Sequence, residues 1–246
     1  MSIAFALQGL VFSRACREEP RRRLAGMLGN RLLAAAGTSL LLVGAAGAYP
    51  TKPVRLVAGN APGAATDTVA RIFATKLSEV MGQQFIVDNR PGAGGVIGME
   101  VVARSAPDGY TLYICGIGQS IRPAMHKKLP FDTLRDFTRI WLYGAVPNVL
   151  VVHPSVPARS VVESGYPGFE VTVWYGLCGP ARLPGTVIAT LLAGIGKTLA
   201  APDLRRRFAA QGVEPRPVGG SDFDAFFKNE VARWAKVVKD AGIAPE

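Results

Sequence analysis

Three strand-like apolar runs separated by two helical stretches occupy residues 53–115, and that alternation restricts the architecture more than any other feature of the chain. "PVRLVA" (53–58) reads as a buried strand ending in a Gly-rich turn. Val69, Ile72, Phe73, Leu77 and Val80 then recur at helical spacing, with Thr66 or Asp67 placed to cap the first turn. "QFIV" (84–87) is a second strand, "NRPGAGGVIG" (89–98) a loop that opens the short helix "IGMEVVARSA", and "YTLYIC" (110–115) a third strand. Strand, helix, strand, helix, strand argues for an α/β domain with a mostly parallel sheet, right-handed crossovers and flanking helices.

The alternation fails at residues 147–176, "PNVLVVHPSVPARSVVESGYPGFEVTVWYG", where two strand-like runs are joined by a Pro- and Gly-studded connector without a helix. Residues 116–123 read as a loop followed by a Pro-Phe-Asp turn. Residues 139–152 and 170–178 are expected to pair antiparallel, with 153–169 connecting them. The tail reads as helical: Ile188, Leu191, Leu192, Ile195 and Leu199 form one apolar stripe, and Phe223, Phe226, Phe227, Val231, Trp234 and Val238 another.

The chain has 246 residues, of which 1–48 read as an export signal. Arg31 precedes the apolar run "LLAAAGTSLLLVGAAGA", and Ala46-Gly47-Ala48 has the small-x-small form of a cleavage site. A start at Met27 gives this leader ordinary proportions. The leader holds six Arg and two Glu, so 28 basic and 18 acidic residues become 22 and 16, and the net charge falls from +10 to about +6. Such a field suits small anions or an acidic surface. It argues against nucleic acid, because the basic residues are scattered with few aromatics among them. Arg205, Arg206 and Arg207 form the one remaining basic cluster, read as a solvated helix face. Cys115 and Cys178 remain after the leader; two cysteines in an exported chain can pair, but apolar surroundings favour buried free thiols.

Motifs that would carry chemistry fail at defining positions. "GIGKT" (194–198) resembles the end of a phosphate-binding loop, but Leu stands at 191 where Gly is needed. In "GAGGVIG" (92–98), Ile97 occupies the third glycine position of a dinucleotide fingerprint, and the segment follows the second strand rather than the first. His126 and His153 lack metal-ligand spacing, and no Gly-x-Ser-x-Gly elbow exists. No catalytic residue, metal or cofactor is expected.

The loop "GNAPGAATD" (59–67) differs from these, because it joins the carboxyl end of a strand to the amino end of a helix. Backbone amides there point outward, and the helix dipole favours a negative group. Gly63, Ala64 and Ala65 allow close approach, so the loop can hold a carboxylate without a catalytic side chain. The alternative is a tight turn in which Asp67 only caps its own helix. "GIGQS" (116–120) follows the third strand and is expected at the same sheet edge.

The segments "YPTKPVRLV", "APGAATDTVAR", "GQQFIVDNRPGAGGVIG", "APDGYTL", "KKLPFDTLRDF", "VPNVLVVHPSVPARSV", "ESGYPGFEVTVWYGL" and "ARWAKVVKDAGI" together resemble the substrate-binding receptors of tripartite tricarboxylate transporters, the periplasmic Bug-type family. The resemblance implies two α/β lobes joined by crossing strands and closing on a small carboxylate, tricarboxylate or related acid, which membrane permease subunits then accept. It implies a periplasmic, non-enzymatic protein. Contacts would fall on Asn60, Pro62, Gly63, Ala64, Thr66 and Asp67, and on Gly116, Gln119 and Ser120 of the second loop. Gly59-Asn60 stand where members commonly carry Pro-Phe, and Ala64 where they carry a second Gly. In the family a whole second lobe follows the segment matching "VPARSV"; here Val161-Val162 run straight into Glu163. A domain on the order of 100 residues is therefore expected to be missing, leaving residues 49–246 as one lobe with hinge strands at about 139–152 and 170–178 and an impaired grip. The rival expectation is a fragment that binds no solute and pairs with itself, as a homodimer through the bared hinge surface, or with a partner. A nucleotide-using enzyme is the third, disfavoured by both glycine motifs.

Overall fold

β1 (Val54–Ala58) is the centre from which the rest is laid out, apolar at nearly every position because it is covered on both faces. In a computed structural model the described residues are 49–148, 153, 155, 163 and 171–245. The leader and most of the connector 149–170 lie outside them. After β1 come α1 (Ala65–Met81), β2 (Phe85–Asn89), a 3-10 turn (Ala93–Gly95), α2 (Val96–Ala103) and β3 (Thr111–Gly116). Then follow α3 (Ile117–Met125), β4 (Phe137–Pro147), β5 (Thr172–Pro180), α4 (Gly185–Ala200), α5 (Pro202–Ala209), β6 (Glu214–Gly219) and α6 (Gly220–Asp240).

The six strands form one sheet in the order β2-β1-β3-β5-β4-β6. Period-2 alternation divides the core between its faces. Leu56, Leu112, Ile114 and Tyr175 meet Phe73 and Leu77 of α1, Leu191 and Ile195 of α4, and Phe208 of α5. On the other face Val57, Tyr113, Cys115 and Trp174 meet Met99 and Val102 of α2 and Phe223 and Phe227 of α6. α1 ends at Gly82, whose left-handed conformation (φ 69°) lets its N–H reach the Ser78 carbonyl. The buried Glu230 of α6 accepts from the indoles of Trp174 and Trp234, each at 3.2 Å, and so pins the last helix to β5.

Four expectations are corrected. The sheet is mixed rather than mostly parallel: β2-β1-β3 is parallel, but β3 with β5, β5 with β4, and β4 with β6 are antiparallel. The segment expected as a loop at 116–123 is instead largely α3, which forms despite Gly118 and Pro123 within it because it packs against α6 with Gln119 and Ser120 buried. The tail holds a strand, β6, hidden by Pro215 and Pro217; as an edge strand bonded only to β4 it tolerates residues without an N–H. Cys115 and Cys178 are not free thiols but a disulfide joining β3 to β5. Cys115 stands opposite Gly176 in that pair of strands, so Cys178 is its diagonal neighbour on the same face.

The long pair β4 and β5 runs antiparallel from Phe137 opposite Pro180 to Pro147 opposite Thr172, with bulges between Arg139 and Trp141 and between Leu142 and Gly144. Gly116, the last residue of β3, stands opposite Tyr175. The strands leading to and from the connector therefore leave the sheet at the edge where β3 ends.

Candidate functional site

A cleft of about 250 Å³ opens beyond the carboxyl ends of β1 and β3, walled on one side by the start of β5. Neither α1 nor α3, whose first turns border it, has a side-chain cap. The first amides of each helix precede any intrahelical acceptor, so both amino ends present donors and a positive partial charge to the same space. The lining contains no Asp or Glu.

Asn60 and Thr66 from the first loop, and Gly116 and Gln119 from the second, line the cleft. Gln119 is 3% exposed, and its buried Nε2 has no hydrogen-bond partner among the described residues. A buried amide N–H₂ left unpaired costs about 1–3 kcal/mol, so this donor awaits an acceptor. Pro62 and Gly63 are exposed on the loop outside the lining, and Ala64 is half-buried behind it. Ser120 is buried, and its Oγ donates to the Ile117 carbonyl at 2.7 Å, holding the first turn of α3.

Asp67 is also buried, and it works on the loop rather than facing the cleft. Oδ2 accepts the Gly63 N–H and Arg71 Nε, each at 2.9 Å, while Oδ1 accepts Asn89 Nδ2 at 2.9 Å. Asn89 Nδ2 also reaches the Asn60 carbonyl at 3.1 Å, so the network ties the 59–67 loop to the end of β2. Burial pushes the Asp67 carboxyl up, but the bonds from Arg71, Gly63 and Asn89 outweigh it and hold the group below the usual carboxylate range. This differs from simple capping by Thr66 or Asp67: no side chain caps α1, and Asp67 acts from its third residue back onto the loop.

Two side chains that bring polar atoms to the cleft were not anticipated. Tyr113 of β3 is 6% exposed, its phenol pushed up to about 12 by burial and so neutral at physiological pH. Arg122 of α3 is half-buried and has no ion-pair or hydrogen-bond partner among the described residues. Had 117–125 been read as a helix, Gln119 and Arg122 would have fallen three apart on one face. The glycines of "GAGG" also find their use here. A Cβ on Gly59 would come within 2.9 Å of the Gly95 Cα and 2.7 Å of the Tyr113 hydroxyl, so the two loops can lie backbone to backbone only as glycines. Among the described residues no group of three His, Cys, Asp or Glu is placed to hold a metal ion.

A sheet flanked by helices on both faces, with two helix amino ends meeting at a crevice outside its strand ends, is the layout in which open α/β sheets hold a ligand. The fold matches that of the periplasmic binding protein BugD (TM-score 0.72, 23% identity, 80% of this chain and 100% of that one). It also matches an R. palustris protein solved with adipate (TM-score 0.71, 23% identity, again 80% and 100%). Residues 69–163 and 154–243 match the model of the tripartite tricarboxylate transporter family receptor. Protein BugT of Bordetella pertussis is 37% identical over 323 aligned residues, covering 87% of this chain and 98% of BugT. The chain belongs to the tripartite tricarboxylate transporter receptor family.

Proposed function

We propose that the protein is a periplasmic receptor that holds a small carboxylate at the amino ends of α1 and α3 for transfer to membrane permease subunits, and that it does so with one lobe. The observation that carries the reading is the buried, unpartnered Gln119 Nε2 set between two uncapped helix ends in a cleft without acidic side chains. The Cys115–Cys178 disulfide fits an oxidising compartment such as the periplasm. The adipate bound by the R. palustris relative fits a carboxylate as ligand.

An internal gap is supported by arithmetic on the BugT alignment. Of its 323 positions this chain fills 87% of 246, about 214, which leaves about 109 opposite no residue of this chain. The family match breaks where the gap is expected, its two pieces overlapping at residues 154–163. The start of β5, which leads out of this region, walls the cleft, and the end of β4 pairs beside it, where a second lobe would cover the opening. If a complete receptor binds near 1 μM, about −8 kcal/mol, and one lobe supplies half, about −4 kcal/mol remains, or millimolar affinity. The rival reading of a self-associating fragment gains little support from the described parts of β4 and β5, which carry no exposed large apolar side chain.

Thermal-shift titration against di- and tricarboxylates tests the reading. At 20 mM ligand and millimolar affinity the gain is about 2 kcal/mol, several degrees in Tm. No shift at tens of millimolar for any acid of the panel refutes binding.

A further inference from the structure

The Arg122 guanidinium lies directly over the 3-10 turn. A Cβ on Gly94 would meet its Nη1 at 2.6 Å and Nη2 at 3.0 Å, and one on Gly118 would sit 3.6 Å from Nη2. The group thus spans from the first turn of α3 to the loop after β2, seated on a glycine that leaves room for it (φ 62° at Gly94). Among the described residues no Asp or Glu pairs with it, Asp67 being bonded to Arg71 and Asp88 to Arg55 and Arg90, and its electrostatic neighbour is the neutral phenol of Tyr113. Burial pulls its pKa down from the ordinary arginine value without making it neutral at physiological pH. A half-buried cation facing a cleft with no counter-charge is a vacant position for an anionic group.

We propose that Arg122 is a ligand-binding residue and the one that sets charge preference: with one carboxylate of the ligand at Gln119 and the helix ends, Arg122 takes the second, so that the cleft favours a dicarboxylate over a monocarboxylate. This rests on the carboxylate reading above. The charge balance supports it. Each helix amino end acts as about half a positive charge, so two of them match one carboxylate, and Arg122 adds the full charge that matches another. The planar guanidinium is also the group suited to hold a carboxylate through two parallel bonds.

Adipate and hexanoate separate the ideas, since hexanoate keeps the chain length and removes one carboxylate. Titrated into the wild-type protein by calorimetry, adipate is expected to bind at least about tenfold more tightly, the worth of one charged hydrogen-bonded contact. Arg122→Gln is expected to lower adipate affinity far more than hexanoate affinity, so that the preference for adipate collapses to near parity, and Arg122→Lys to restore part of the preference. In the wild type the Arg122 Nε–H NMR signal should move on adding adipate and stay still on adding hexanoate, a readout that holds even if a variant folds poorly. Adipate preference surviving in a folded Arg122→Gln protein overturns the assignment and leaves the carboxylate site standing. A wild-type protein that binds neither acid removes both.

Discussion

Replacing Asp67 by Asn removes one charge and one acceptor from a buried position that serves three donors. Asparagine keeps a single oxygen, so whichever way its amide turns, its N–H₂ meets either the Gly63 N–H and Arg71 Nε or the Asn89 Nδ2 that now bond to the carboxylate. Losing a hydrogen bond to a buried charged acceptor costs about 1.5–3 kcal/mol. The Arg71 side chain is 50% exposed, so solvent screening limits its ionic share to about 0.5 kcal/mol. The sum is about 2–3.5 kcal/mol, or about 5–10 °C of Tm for a chain of this size. The sign of the pH dependence follows from the carboxyl lying below its ordinary range in the folded chain. The unfolded chain then takes up a proton first as pH falls, so the stabilisation is complete above the unfolded value near 4 and is lost on acidification through the folded value. Urea unfolding of wild type and Asp67→Asn from pH 3 to pH 7 should show a constant gap above about pH 5 that closes below about pH 4. Equal stability at pH 7, with only ligand binding impaired, would refute the reasoning and make Asp67 a direct ligand contact instead of the anchor of its loop.

The remaining expectations concern the core. The Cys115–Cys178 disulfide closes a sequence separation of 63 residues, and chain entropy sets its contribution at up to about 4 kcal/mol. Dithiothreitol should lower the urea midpoint of the wild type and leave the Cys115→Ala, Cys178→Ala double variant unmoved. Tyr143 is fully buried, its hydroxyl has no partner among the described residues, and burial raises its pKa far above the ordinary value. Tyr143→Phe should therefore leave the unfolding free energy unchanged or raise it by up to about 2 kcal/mol, whereas a fall of several degrees in Tm would reveal a partner for the hydroxyl.

What was legible in the sequence is what depends on near neighbours along the chain. The period of Val69, Phe73 and Leu77 and the unbroken apolar run of β1 announce α1 and a buried strand before any partner is known. The antiparallel pair of β4 and β5 was legible too, because a connector without a helix permits little else. Reading failed where tertiary packing overrides local preference. α3 carries a glycine in its first turn and a proline inside, and forms because Gln119 and Ser120 are buried and the helix packs against α6. β6 is a strand only because β4 offers it an edge. The disulfide required knowing that β5 inserts beside β3, a pairing between segments about 60 residues apart. At the site, Asn60 and Thr66 followed from the rule that ligands gather at strand carboxyl ends. Arg122 did not, since its position depends on Gly94, 28 residues earlier, lacking a side chain.

In the proposed one-lobed receptor, enclosure is a larger loss than any single contact. Two unit charges 4 Å apart attract by about 1 kcal/mol in bulk water and about 4 kcal/mol at an effective dielectric constant of 20. Arg122 and the amino ends of α1 and α3 therefore keep their geometry in an open cleft but surrender most of their electrostatic strength to solvent. The second-lobe wall would contribute by excluding water from donors already in place, more than by adding donors of its own. Salt then becomes a sharp probe, because exposed charges more than a Debye length apart are screened while enclosed ones are spared, and that length is about 10 Å at 0.1 M. Affinity for a dicarboxylate in this protein should fall steeply between low and physiological ionic strength, whereas a receptor with both lobes closed on the same ligand should respond far less.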